Sequence, residues 1–144
     1  MRMKSILAAS AAVVLITAAA PREEDVKRDK AGLKGGWSVA AFERNGKEFG
    51  VDEIKRLEWT FGANSVTIKA NNQERESTYT LDPSKEPKQI DLTYKGQVTL
   101  GIYELGTDRL RICLALEGAK KRPTQFESKP RSNLTNMVLR RAKP

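Results

Sequence analysis

From Gly35 onward, apolar residues recur at every second position in short runs separated by turn-forming residues. Trp37, Val39 and Ala41 alternate with Ser38 and Ala40, and Leu57, Trp59 and Phe61 alternate with Glu58 and Thr60. The same rule covers Val66 and Ile68, Tyr79 and Leu81, Ile90 and Leu92, then Val98, Leu100 and Ile102. Leu110, Ile112, Leu114 and Leu116 follow it too, and a last run spans Met137 to Arg141. Successive side chains of a strand point to opposite faces, so this period predicts strands with one buried face, and these apolar residues are the expected inward set.

The separators carry turn chemistry. Asn45-Gly46, Gly62-Ala63-Asn64, Asn71-Asn72, Lys95-Gly96 and Gly106-Thr107-Asp108 are short enough to join antiparallel neighbours. Asp82 to Pro87 and Lys120 to Pro123 form longer, proline-punctuated connections. Within this region only Val51 to Arg56 predicts a helix, a single turn capped by Asp52. No connection is long enough for a parallel crossover. The pattern therefore predicts an all-β, antiparallel up-and-down meander, and closing it into a small barrel removes the exposed edges. The inward set suits either a filled interior or a small cavity.

The first residues obey a different rule. Arg2 and Lys4 precede an apolar run from Ile6 to Ile16, and Thr17 to Ala20 supply small residues before Pro21. That order is the order of a secretory signal peptide, residues 1–19, with the cut expected after Ala19. A retained anchor helix is the alternative, but the uncharged stretch Ser5 to Ala20 falls short of the ~20 residues that span a bilayer. Processing would leave no transmembrane helix and would place the protein in the periplasm or outside the cell. Residues 20–34 are charged and lack apolar periodicity, so they are expected to be a leader or linker. Glu23 to Lys30 has the makings of a helical turn that nothing buries. The barrel domain is expected over residues 35–144.

Composition then removes chemistry. The chain of 144 residues has no histidine and one cysteine, Cys113. Ser–His–Asp and Cys–His catalysis are excluded, and with them nearly every zinc site; an intrachain disulfide is impossible. The sequence contains no Gly-x-Ser-x-Gly, Ser-x-x-Lys, phosphate-binding glycine loop or acidic calcium loop. Glu43, Glu48, Glu58, Glu104 and Glu127 are scattered glutamates rather than a catalytic pair. No enzymatic activity, catalytic residue, metal or cofactor is expected. The net charge of +8 is unevenly spread: Pro21 to Glu117 carries 16 basic and 17 acidic residues, whereas Gly118 to Pro144 carries 8 basic residues against Glu127 alone. Such a segment either solubilises the protein or attracts an anionic polymer. Nucleic acid is not the expected partner, because no helix-turn-helix or RNA-binding aromatic motif accompanies the charge.

Gly35-Gly36-Trp37 resembles the opening Gly-x-Trp motif of lipocalins, in which glycine ends the lead-in loop and tryptophan closes the barrel floor. The resemblance implies a structural role for Gly35 and Trp37. It also implies an arginine near the chain's end packed across the tryptophan, Arg140 or Arg141 according to register. Over Leu33 to Arg141 the chain is similar to a family of uncharacterised lipocalin-like domains abundant in planctomycete bacteria. The similarity runs through Tyr79-Thr80-Leu81-Asp82-Pro83-Ser84-Lys85, Leu100-Gly101-Ile102-Tyr103-Glu104-Leu105 and the string Arg122-Pro123-Thr124-Gln125-Phe126-Glu127-Ser128-Lys129-Pro130. The short Tyr94-Lys95-Gly96-Gln97 turn departs from it, since that family often carries a longer polar loop there. A lipocalin-like barrel in an exported bacterial setting is implied; no activity comes with it.

Two functions follow as expectations. One is a binding protein for a small apolar or amphipathic ligand, with Trp59, Phe61, Tyr79 and Tyr103 lining the pocket and Arg122 and Lys129 at the barrel mouth holding an acidic group. The other is an envelope interaction module that contacts an anionic polymer or a protein through the basic C-terminal portion. Cys113 lies on the strand face opposite Ile112 and Leu114 and is expected to be inert, exposed or not.

Overall fold

A computed structural model describes residues 10–13 and 20–143. The expected signal segment, residues 1–19, lies outside the described residues except for 10–13. The described residues form nine strands: β1 (Gly35–Arg44), β2 (Lys47–Glu48), β3 (Glu58–Phe61), β4 (Ser65–Ala70), β5 (Gln73–Asp82), β6 (Lys88–Tyr94), β7 (Gln97–Leu105), β8 (Arg109–Leu114) and β9 (Thr135–Arg141). Each of β3 to β8 pairs antiparallel with the next strand, and β1 pairs with both β3 and β9. Eight strands thus close into a barrel, with β2 as a two-residue hairpin partner at the end of β1. Among the described residues two helices accompany them, α1 (Glu23–Leu33) and α2 (Val51–Ile54). Among the described residues no helix is long and apolar enough to cross a membrane.

Strand directions sort the residues into two ends. β1 starts at one end, where β3, β5, β7 and β9 finish; Trp37, Phe61, Leu81, Tyr103, Leu110 and Leu139 fill that end and are buried. The sequence leads to the expectation that residues 20–34 are an unburied leader, and the structure corrects it. Acidic Glu23, Glu24 and Asp25 open α1 and Lys30 lies in its last turn, complementing the helix dipole. Lys27–Glu23 (3.4 Å) and Arg28–Asp25 (2.9 Å) add ion pairs along its surface. The helix buries only Leu33 and Asp29. One apolar side chain and one carboxylate leave no hydrophobic period to read, which is why the segment looks like a linker.

Asp29 is the polar half of this plug. Its Oδ2 accepts hydrogen bonds from the Tyr103 hydroxyl (2.7 Å) and from Lys88 Nζ (2.9 Å). Burial works against the carboxylate, but the hydrogen bonds from Lys88 and Tyr103 and the charges of Lys88 and Arg28 outweigh it, so Asp29 ionises below its ordinary range. Burial and the Asp29 charge push the Tyr103 hydroxyl far up, keeping it a neutral donor.

Three details of the predicted pattern change. A β-bulge between Val39 and Ala41 shifts the phase of β1, so Ala41 is exposed while Phe42 packs against the core. In β7 the inward residues are Thr99, Gly101 and Tyr103, opposite Leu92, Ile90 and Ile112, and not Val98, Leu100 and Ile102. Ile102 is buried all the same, because residues 115–134 cover that outer face, and its hydrophobicity mimics a core position. Gly101 is required inside: a Cβ there would lie 2.6 Å from Leu114 Cδ2 and 3.0 Å from the Cys113 carbonyl oxygen. Finally, α2 has Gly50 at its N-cap with no side-chain cap, and Asp52 sits within its first turn.

A carboxyl held below its unfolded pKa contributes stability above that value and loses it as pH falls through the folded one. Asp29→Asn is therefore expected to destabilise the protein by about 1–3 kcal/mol at neutral pH. The deficit should shrink as pH falls below about 4, where the carboxyl of the unfolded chain takes up a proton before that of the folded protein does. Urea unfolding at the two pH values checks this; equal stability at neutral pH would contradict the plug.

Candidate functional site

The other end of the barrel is open. The three hairpins there have two-residue loops, Asn45-Gly46, Asn71-Asn72 and Lys95-Gly96, and all six residues have positive φ. Such turns match strand twist and hold neighbouring strands tightly, and the β2–β3 connection with α2 leans on the mouth, through Glu53, Ile54 and Leu57. Behind the mouth lies a cavity of about 770 Å³. Ile54, Trp59, Ser77, Leu92, Ala115 and Met137 are the buried part of its wall, with Phe42, Phe49, Ile68 and Leu114 partly buried around them. Phe42 and Phe49 meet edge to face at 5.0 Å between ring centres. The large apolar side chains that the barrel domain exposes, Val51, Val98 and Leu116, all belong to segments at this end.

Charged groups are confined to the rim, and the buried Ser77 adds a hydroxyl to the inner wall. Arg75 Nη2 donates to Glu117 Oε2 (2.9 Å), and its guanidinium stacks on the Tyr94 ring at 3.7 Å. Arg44 Nε donates to Thr135 Oγ1 (3.1 Å), and its guanidinium lies 5.2 Å from the Phe42 ring centre. Asn45 Oδ1 accepts from the Asn133 backbone N–H (2.6 Å).

Of the six residues expected to bind a ligand, Trp59 alone lines this cavity. Phe61 and Tyr79 pack edge to face at 5.3 Å below it, and the Tyr79 hydroxyl donates to the Gly62 carbonyl (2.9 Å) in the floor turn. Tyr103 is committed to Asp29. Arg122 is not at the mouth; it clamps the outer wall, its Nη1 donating to Asp91 Oδ1 (2.6 Å) and to the Gly101 carbonyl (2.8 Å). Lys129 is exposed and pairs with Glu127 at 3.4 Å. At the floor, Trp37 is fully buried, Gly35 adopts φ +110°, and the arginine across the indole is Arg141, not Arg140. Strand parity decides between them: Arg141 follows Met137 and Leu139 on the inward face, whereas Arg140 is exposed. Sequence reasoning missed Phe42 and Arg44 because the bulge is silent in the pattern, and Thr99 because β7 was phased on its outer face.

Comparisons of the chain with known protein families, curated protein sequences and solved structures find no match.

Cys113 is buried on the outer face of β8, beneath residues 115–134, with its Sγ 3.6 Å from the Glu127 carbonyl oxygen. Burial, with the negative charges of Glu127 and Glu43 adding to it, pushes the thiol up to about 11. Iodoacetamide at mildly alkaline pH should label the native thiol at least about a hundred-fold more slowly than the urea-unfolded chain. Comparable rates would mean that the outer layer does not cover it.

Proposed function

We propose that this protein is an exported, lipocalin-like binding protein whose open cup holds a small apolar or amphipathic molecule. The observation that carries the reading is the cavity of about 770 Å³, walled mainly by apolar side chains, with Ser77 as a buried hydroxyl and its charged groups at the rim. That size and polarity fit small-molecule sites, which are mostly apolar with a few placed polar groups. Exposed Val51, Val98 and Leu116 around the opening favour a ligand that passes in from an apolar or interfacial phase. Export rests on the order of residues 1–19, and kinship with the lipocalin-like family rests on the motifs around Trp37 and Arg122.

The alternative, binding of an anionic polymer through the basic C-terminal portion, draws less support. Arg122 is spent on the barrel wall, Lys129 on Glu127, and Arg141 on the floor. Three of the eight basic residues of that segment are thus committed within the protein.

The neutral dye N-phenylnaphthylamine tests the cup without relying on charge. The wild-type protein is expected to bind it saturably at one site with raised fluorescence. Ser77→Phe combined with Thr99→Trp fills the cavity from two walls and should weaken binding by about ten-fold or more while the protein still unfolds cooperatively. Absence of saturable binding, or unchanged binding in the folded double variant, would overturn the proposal.

A further inference from the structure

Arg44 and Arg75 both line the cavity rim, yet they are in opposite electrostatic states. Arg75 is neutralised by Glu117 and held on Tyr94. Arg44 takes part in none of the ion pairs among the described residues, and its one hydrogen bond uses Nε, leaving both terminal nitrogens without a partner. Glu53, the remaining carboxylate of the rim, forms no ion pair with it. A second cation adds to the field: Lys47 is the cross-strand partner of Arg44 in the β1–β2 hairpin, and it too forms no ion pair among the described residues. Like charges directly opposite each other across strands are destabilising. The two are packed on the edge-to-face pair of the cavity wall, Arg44 over Phe42 and Lys47 over Phe49 (5.4 Å).

A rim that leaves Arg44 uncompensated, with Lys47 as its cross-strand neighbour, above a mainly apolar cup, is shaped for an anion that an apolar body carries with it. We propose that the ligand is an anionic amphiphile, its carboxylate or phosphate bound by Arg44 with Lys47 beside it and its apolar part in the cup. This rests on the cup being a ligand site. The guanidinium remains charged at any relevant pH and offers two parallel N–H donors to such a head group. Its contact with Phe42 and the bond to Thr135 fix its plane before binding, which lowers the entropic cost of recognition.

The test is isothermal titration of the full folded protein with dodecanoate, dodecyl phosphate and dodecanol, which share one apolar chain. At least one of the two anions should bind about ten-fold more tightly than dodecanol, and the stronger of the two names the head group. Arg44→Gln, alone and with Lys47→Gln, should bring both anions to the level of dodecanol and leave dodecanol itself within about two-fold. Both residues are exposed, so the variants should keep the wild-type unfolding transition. Dodecanol binding as tightly as the anions, or an anion preference that survives the double substitution, would overturn the head-group assignment and leave the cup intact. If none of the three probes binds, the cup reading itself fails.

Discussion

The barrel depends on how the Trp37 indole is held. Its Nε1–H donates to the Leu33 carbonyl (2.8 Å), and the Arg141 guanidinium covers its ring at 4.2 Å. Arg141 in turn donates to the carbonyls of Gly32 (2.6 Å) and Lys34 (3.1 Å), which the end of α1 leaves without helical partners. One contact therefore joins the end of α1, the first strand and the last strand. Closure of a sheet requires its terminal strands to meet, and here the seam between β1 and β9 is fastened by the largest fully buried side chain in the protein. Remove the indole and the helix loses its anchor, the arginine its platform and the seam its core.

Fastening one end leaves the other free. The floor is doubly secured, by the indole and by the Asp29–Tyr103–Lys88 cluster, and its interior is packed with aromatic and aliphatic side chains. At the opposite end three hairpins are too short to cover anything and α2 lines only one side, so the upper interior stays open. Residues 115–134 do not close it either. They fold back along the outer wall, where Arg122 ties them to β6 and β7, Cys113 packs under them, and Arg111 stacks on Phe126 at 4.3 Å. The basic segment thus thickens one side of the barrel.

Most of the fold was legible because period two and positive-φ turn residues are local signals. The strands, all five short turns and the antiparallel order follow from Trp37, Trp59, Tyr79, Ile90 and Ile112 and from residues such as Asn45-Gly46. The site was less legible. Aromatic residues were natural pocket candidates, yet Phe61, Tyr79 and Tyr103 lie at the floor, because which end of a barrel is sealed depends on α1, and α1 packs through a carboxylate rather than an apolar stripe. Phase errors at Ala41 and Ile102 have a shared origin: a bulge and an outer layer are tertiary features, and alternation alone assigns every apolar residue to one interior. Arg44 carried no local mark at all. Its interest comes from lacking a counter-ion, which only the packed structure displays.

The central claim is that the interior is sealed and filled at the Trp37 end and open and receptive at the Trp59 end. Two-dimensional NMR of the labelled protein, titrated with dodecanoate, addresses it residue by residue. Shifts are expected to concentrate on Trp59, Ile68, Ser77, Leu92, Thr99 and Met137, with Arg44 among the rim signals, while Trp37, Tyr103 and Leu110 stay in place. Shifts centred on the floor or on residues 115–134, or no localised shifts at saturating amphiphile, would contradict it.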